Sequence, residues 1–485
     1  MAENKVSSYM LSVEIYENAR LSRDARFDGK FFTAVLTTGI FCRPICPARP
    51  PKPENVRYYE SAELAQQSGF RPCKRCFPQF APKLPLPKKI KQITQAYYEN
   101  HYSLKKCAQQ LAISERQIHR MFMQYYGLSP SEFFHQQRLL LAHKLLISTP
   151  LSMTNVAFAA GFNSIRRFNE VIMQTYQTTP TDIRGNNLKS SDTQVTILLP
   201  YKPPFDWPLM LSFFRSRKMS NIEDIGEEHY FRTVDLAECR GWIKVSHHKS
   251  KSALNLTVNL SDYSYLHQII ARVRRMFDLD ADMEIIHQHL KKHEKLASVI
   301  EQFPGLRLPG CWDIFEFSIR AILGQQISVK GATTLAQRIA EKYGDNVTDI
   351  ELPENISPSK YFPSFEALLA VDYQDIGLTR SRIATLQTWV AFFKQNQGIF
   401  TKGLSIEELE TALTKLKGIG PWTVNYIAMR GLSDPDAFPS ADLGIIKALT
   451  AEETKPKNKD ILALAESWRP WRAYAAIYLW QSLAH

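Results

Sequence analysis

The spacing of apolar residues changes along the chain, and each change predicts a different kind of element. From 90 to 185, apolar residues recur every third or fourth position, which predicts helices throughout. From 195 to 300 the runs become strand-like and β-branched (Val195-Thr-Ile-Leu-Leu, Tyr230-Phe-Arg-Thr-Val, Gly241-Trp-Ile-Lys-Val, Leu254-Asn-Leu-Thr-Val). They alternate with helical stretches, which predicts an α+β platform. From 301 to 485 the helical period returns. Two breaks separate these regions, a Pro- and Lys-rich stretch at 81–89 and a polar stretch at 186–194. Residues 1–80 form a further small segment, so the expected fold class is multidomain α+β.

Length and charge sharpen this division. A chain of 485 residues is long enough for several domains with their own cores. No apolar run is long enough to span a membrane, and Met1–Val6 lacks an apolar signal region, so a cytoplasmic location is expected. Residues 1–190 hold 26 Lys+Arg against 13 Asp+Glu, a charge of +13, whereas the remainder carries −1. The first part is therefore expected to supply most of the sequence-independent attraction to nucleic acid.

Four of the seven cysteines fall in two close pairs, Cys42/Cys46 and Cys73/Cys76. Such pairs supply four thiolates for one tetrahedral Zn²⁺, and the spacing alone is met equally by an inert zinc staple. The surrounding residues, Phe41-Cys-Arg-Pro and Phe70-Arg-Pro-Cys-Lys-Arg-Cys, resemble the N-terminal domain of the Ada-type methylphosphotriester repair proteins. That resemblance implies that Cys42 accepts a methyl group from a methylated DNA phosphate, while Cys46, Cys73 and Cys76 hold the metal with it. Methylating one of four thiolates takes the site from a formal charge of about −2 to about −1. With Arg43, Arg49, Arg71, Lys74 and Arg75 nearby, that change is expected to strengthen DNA binding.

Within 90–185 a small-residue helix, a short turn and a Ser-started basic helix occur twice, at Leu104–Phe122 and Asn155–Ile172. Ser114, Arg116, Gln117 and Arg120 form one candidate base-reading face; Ser164, Arg166, Arg167 and Asn169 form the other. The pair resembles the AraC-type double helix-turn-helix domain, which implies promoter recognition. Cys107 reads as a buried apolar residue.

The C-terminal part is organised around Leu416-Lys-Gly-Ile-Gly-Pro-Trp-Thr-Val-Asn-Tyr426. Its glycines predict a tight turn, and Pro421 starts a helix whose N-terminus suits a phosphate. Asp442 follows in Phe438-Pro-Ser-Ala-Asp442, also at a helix start. This stretch is similar to the helix-hairpin-helix glycosylase superfamily, and within it to the AlkA-type alkylbase DNA glycosylases. The resemblance covers roughly 200–485. It implies that Gly418 and Gly420 meet a DNA phosphate and that Asp442 is the catalytic carboxylate. It also implies that Trp422, Tyr426, Trp480 and Phe213 line the pocket for the extruded base, cation–π stacking favouring a positively charged alkylpurine. Gln326 falls where that family carries an apolar wedge. Trp422 stands where base-removing enzymes that also nick DNA carry a lysine, so hydrolysis to an abasic site is expected. No cysteine set for an iron–sulfur cluster is present in that part.

The expected whole is a small zinc-binding α/β domain with four cysteine ligands (1–80), an all-α AraC-type domain (90–185), an antiparallel α+β platform (195–300) and an all-α helix-hairpin-helix domain (301–485). Together they imply an adaptive-response regulator joined to a monofunctional 3-methyladenine-type glycosylase. The partners expected are double-stranded DNA and RNA polymerase, with no membrane, and the chain is expected to be a monomer. The alternatives are an activator with a silent C-terminal half, and a glycosylase whose N-terminal half only tethers it to DNA.

Overall fold

A computed structural model describes residues 13–483 except 22–26, 47, 49, 77, 79–80, 82–87, 100–101, 186–193, 237, 249 and 451–455. Most of both breaks, 81–89 and 186–194, lies outside the described residues. The chain forms two compact units, one of 1–94 with 113–190 and one of 95–112 with 191–485.

In the first unit four short strands form a mixed sheet of order β3-β1-β2-β4: β1 Phe32–Val35, β2 Ile40–Cys42, β3 Val56–Tyr59 and β4 Arg71–Pro72. The β2–β4 pairing is parallel, with Phe41 beside Pro72, and the Cys73 N–H donates to Phe41 O at 3.0 Å. That pairing brings Cys42, the last residue of β2, near Cys73, the residue after β4. Helices follow at Glu115–Tyr126, Pro130–Ser148, Met153–Ala159, Ile165–Tyr176 and Pro180–Arg184. Each begins on a hydroxyl cap (Ser114, Ser129, Ser152, Ser164, Thr179) that accepts a backbone N–H otherwise left without a partner.

In the second unit the strand-like runs pair as a five-stranded antiparallel sheet of order β5-β9-β8-β7-β6. Its strands are β5 Val195–Pro200, β6 Glu223–Ile225, β7 His229–Leu236, β8 Cys239–His247 and β9 Ala253–Leu260. The helices after it share one apolar core, in which Met283, Ile286 and Ile300 join Ile319, Trp389 and Ile445. Core and sheet are bound by a buried ion pair: Arg232 Nη2 on β7 donates to Glu316 Oε2 at 2.7 Å, in the helix Ile314–Leu323. Residues 95–112 join this unit through Tyr98, whose ring stacks on His267 at 3.4 Å between centroids. Among the described residues no helix is long and apolar enough to cross a membrane.

Removing one partner of a buried pair strands the other charge. Glu316→Ala should destabilise the second unit by about 3–5 kcal/mol, whereas replacing Arg232 and Glu316 together by apolar residues should cost far less. Urea titration followed by tryptophan fluorescence measures both.

Candidate active site and zinc centre

The C-terminal site is built on the hairpin between the helices Ile406–Leu413 and Pro421–Tyr426. Gly418 takes φ +88°, and a Cβ there would stand 2.1 Å from Thr385 Oγ1, so both conformation and space demand glycine. Its carbonyl accepts from Gln325 Nε2 at 2.9 Å, and the same nitrogen lies 3.0 Å from Thr423 Oγ1. Gln325 thus ties the loop 324–328 to the start of the Pro421–Tyr426 helix. On that loop Gln326 is exposed at φ +55°, with exposed Ile327 and Val329 beside it.

Asp442 caps the helix Leu443–Leu449. Its Oδ1 accepts from Gly444 N at 2.9 Å, Ile445 N at 3.2 Å and the Trp480 indole Nε1 at 2.9 Å. Its Oδ2 accepts from the Trp422 indole Nε1 at 3.1 Å. Three donors saturate Oδ1 and leave Oδ2 as the oxygen with spare lone pairs. The helix N-terminus favours the negative charge, and the two indoles fix the plane of the carboxylate. Capping through Oδ1 therefore leaves Oδ2 open to a second role. Gly444 makes the arrangement possible, since a Cβ there would stand 2.9 Å from Trp480 Cδ1.

Trp422 stacks on Tyr426 at 5.2 Å and 16°, and Trp480 meets Tyr426 edge-on at 6.2 Å. Asp442, Trp422, Tyr426 and Trp480 are thus one contacting group. Phe213, on the helix Trp207–Arg215, joins it through Arg430, which lies 4.6 Å from the Phe213 centroid and 5.8 Å from that of Tyr426. Phe213 also carries the Arg217 guanidinium at 3.8 Å. Burial raises the Tyr426 hydroxyl's pKa, but the nearby Arg430 and Arg217 outweigh it and hold the group below its ordinary value. Sequence reasoning missed Arg217, Arg430, Gly444 and Gln325. The two arginines had a signal: each follows a pocket aromatic by four residues, one helical turn.

In the first unit the Sγ atoms of Cys42, Cys46, Cys73 and Cys76 all lie within 4.8 Å of one another, with Cys46 and Cys73 3.9 Å apart. Tetrahedral zinc with bonds of about 2.3 Å sets its sulfurs about 3.8 Å apart, so the cluster fits that ion. Backbone N–H groups donate to Cys73 (from Arg75, 3.4 Å) and to Cys76 (from Arg43, 3.3 Å). Cys73 and Cys76 are buried, whereas Cys42 and Cys46 are half-buried. A sulfur that accepts hydrogen bonds and is covered is the poorer nucleophile, which leaves the first pair as the reachable one.

Not every basic residue expected to face DNA does so. Arg43 is buried, with Nε donating to Asp28 Oδ1 at 2.7 Å and Nη1 to Cys76 O at 3.3 Å. Its charge is cancelled inside the domain and braces the cluster. Arg71, Lys74 and Arg75 are exposed, while Arg49 lies outside the described residues. On the helical elements Arg116, Arg120, Arg166, Arg167 and Asn169 are exposed. Ser114 and Gln117 close on each other in a capping box, with Gln117 Oε1 accepting from Ser114 N at 2.8 Å. Only the amide nitrogen of Gln117 is then left for a base edge. Ser164 caps its helix, and Glu170 pairs with Arg166 at 3.1 Å.

Three family descriptions match the chain: the metal binding domain of Ada at 16–79, a helix-turn-helix domain at 107–186 and the AlkA N-terminal domain at 196–313. A Mycobacterium tuberculosis protein named a probable bifunctional transcriptional activator/DNA repair enzyme AlkA is 34% identical over 478 residues, covering 96% of this chain and 95% of that one. The Escherichia coli DNA-3-methyladenine glycosylase 2 is 32% identical over 58% of this chain and 95% of its own. The E. coli bifunctional transcriptional activator/DNA repair enzyme Ada is 36% identical over 32% of this chain and 45% of its own. Among solved structures, a 3-methyladenine DNA-glycosylase from Archaeoglobus fulgidus superposes with a TM-score of 0.52 at 22% identity, over 59% of this chain and 97% of that one, a likeness of fold.

If Arg43 braces the cysteine cluster, Arg43→Ala leaves Asp28 buried without its cation. Zinc should then pass to a competing chelator severalfold faster than from the wild type, while Arg71→Ala should leave the transfer rate unchanged. A colourimetric chelator assay reads both.

Proposed function

The chain belongs to the family of bifunctional transcriptional activator/DNA repair enzymes in which an Ada-type regulatory half is joined to an AlkA-type glycosylase half, and from that membership we infer how its residues divide the work. It is a DNA repair enzyme and DNA-binding activator that releases alkylated bases of the 3-methyladenine type and takes methyl groups from DNA phosphotriesters. The observation that carries the first activity is the Asp442 carboxylate, held by two indole N–H groups beside the aromatic group of Trp422, Tyr426 and Trp480.

In base release the C1′–N bond breaks with its electron pair going to the base, and positive charge develops on the sugar. A carboxylate fixed in advance stabilises that charge without reorganising at the moment of reaction. Oδ2, with its spare lone pairs, is the oxygen assigned to the sugar and to the attacking water. Gly418 and Gly420 set backbone N–H groups at the helix start, where a flanking phosphate binds. Trp422 offers no amine for a Schiff base, so the product is an abasic site in an intact strand. Gln326, with Ile327 beside it, is assigned to the gap that the extruded nucleotide leaves.

In the N-terminal half, zinc bound by Cys42, Cys46, Cys73 and Cys76 keeps the thiols deprotonated at neutral pH. Cys42 Sγ forms a bond to the methyl carbon while the methyl–oxygen bond breaks, its electrons returning to the phosphate as an ordinary diester. The cluster thereby loses one negative charge beside exposed Arg71, Lys74 and Arg75, which strengthens attraction to the DNA backbone. Arg116, Gln117, Arg120, Arg166, Arg167 and Asn169 are assigned to promoter bases, with Ser114 and Ser164 as caps that set the two helices. Activation through RNA polymerase, a cytoplasmic location and a monomeric state belong to the same proposal.

Asp442→Asn should lower release of 3-methyladenine from methylated duplex by at least about a hundredfold. Trp480→Phe keeps a ring but deletes one donor to Asp442, so it should lower kcat by about tenfold with KM little changed. Release by wild type and Asp442→Asn alike would remove the acid from this role. Cys42→Ala should abolish methylation-dependent reporter induction and leave base release intact.

A further inference from the structure

Asn425 lies on the helix Pro421–Tyr426, three residues after Trp422, and is only 7% exposed. Its amide is used at both ends. Nδ2 donates to Glu410, on the preceding helix Ile406–Leu413, and to Pro421 O at 3.0 Å. Oδ1 accepts from Phe438 N at 3.0 Å. The carboxylate and the carbonyl can only accept and the backbone N–H can only donate, so the three neighbours fix which end of the amide is which. Glu410 stands in the last turn of its helix, where the macrodipole disfavours a negative charge. A buried amide likewise costs more than an apolar residue of similar size.

These bonds join the hairpin to the segment that delivers the acid. Phe438 is buried, Ser440 N donates to Phe438 O at 2.9 Å, and Asp442 N donates to Pro439 O at 2.8 Å. The path from Phe438 to Asp442 is thus a closed turn that moves as one piece. One helix holds it at two points, Asn425 at its start and the Trp422 indole at the carboxylate. The same helix begins at the Gly418–Gly420 loop, assigned above to a DNA phosphate. Covalent bonds set the separation between a phosphate and C1′ in a nucleotide, so the two protein groups that meet them must be held at a matching separation.

We propose that Asn425 is a positioning residue for base release: with Glu410 it locks the acid-bearing turn 438–442 to the hairpin, so that Asp442 meets C1′ while the hairpin holds the flanking phosphate. This rests on the glycosylase reading above. Asn425 acts through Phe438 and not on the substrate itself. A misplacement of about 1 Å at such an acid costs on the order of a hundredfold in rate.

Single-turnover release of 3-methyladenine by the full chain tests this, at saturating enzyme and at a temperature where circular dichroism shows every variant folded. Asn425→Asp keeps the acceptor for Phe438 N but sets a carboxylate against Glu410 and Pro421 O. It should slow release by at least about thirtyfold. Glu410→Gln still accepts from Asn425 and should slow release by less than about threefold. In the double variant the new amide at 410 can donate to the new carboxylate at 425, and release should return to within about fivefold of wild type. Asn425→Leu packs but makes none of the three bonds; it should be as slow as Asn425→Asp, and it decides the matter if Asn425→Asp does not fold. The Trp422 and Trp480 indole N–H resonances, followed by isotope labelling of the indole nitrogens, report the bonds to Asp442 without turnover. Both should shift in the two single Asn425 variants and return in the double variant. Wild-type rates or unshifted indoles in the single Asn425 variants overturn the proposal, as does a loss that the double variant does not recover. A wild type that releases no base sinks the glycosylase reading, and the indole resonances then decide whether Asn425 places Asp442.

Discussion

The hold on Asp442 is the constraint on which the C-terminal half depends. A carboxylate that only capped a helix would need the two backbone donors, Gly444 N and Ile445 N. The two indole donors come from elements 20 residues before it and 38 after it, so the whole helical core must be assembled for the acid to be aimed. Gly444 then reads as a consequence, because any side chain there collides with the Trp480 indole. The rings assigned to the base pocket thus also set the plane of the Asp442 carboxylate, so ring packing and carboxylate geometry cannot be varied independently.

The N-terminal centre meets the opposite problem with similar means. Four sulfurs within 4.8 Å concentrate negative charge that only a cation can hold together. The parallel β2–β4 contact and the turn Cys46 N–H to Arg43 O, 3.1 Å, bring the two pairs into one cluster. Buried Arg43 neutralises Asp28 and touches the Cys76 backbone, so it serves the frame. The charges that remain at the surface, Arg71, Lys74 and Arg75, can respond to a one-unit change at the cluster because no carboxylate among the described residues is paired to them.

Much of this was legible from local pattern. The helical period after residue 90, the strand runs after 195 and the paired cysteines depend on near neighbours, and the elements appear where those patterns lie. The hairpin glycines were legible for the same reason, since Gly418 answers a local demand for positive φ. Arg43 was not, because Cys-Arg-Pro in a basic segment looks the same whether the arginine faces solvent or a buried aspartate 15 residues earlier. Nor was the bonding of Trp422 and Trp480 to Asp442. Sequence placed them as rings in a pocket, while their N–H groups found a partner only through tertiary packing. Gln117 was read as a base contact, but its proximity to Ser114 at three residues also matches a capping box, which the structure forms.

Electrostatics then separates the arginines into two kinds. Arg43 and Arg232 are buried with carboxylates, so each charge faces an opposite one inside the fold. Arg217 and Arg430 have carbonyl, hydroxyl and ring partners, which orient a guanidinium but do not cancel it. Sequence spacing brings them together: Arg217 follows Phe213 and Arg430 follows Tyr426 by four residues, and both guanidiniums reach Phe213. An acidic neighbour would have stabilised the fold more than a ring does. That none stands beside them among the described residues leaves their charge uncancelled beside Phe213 and Tyr426.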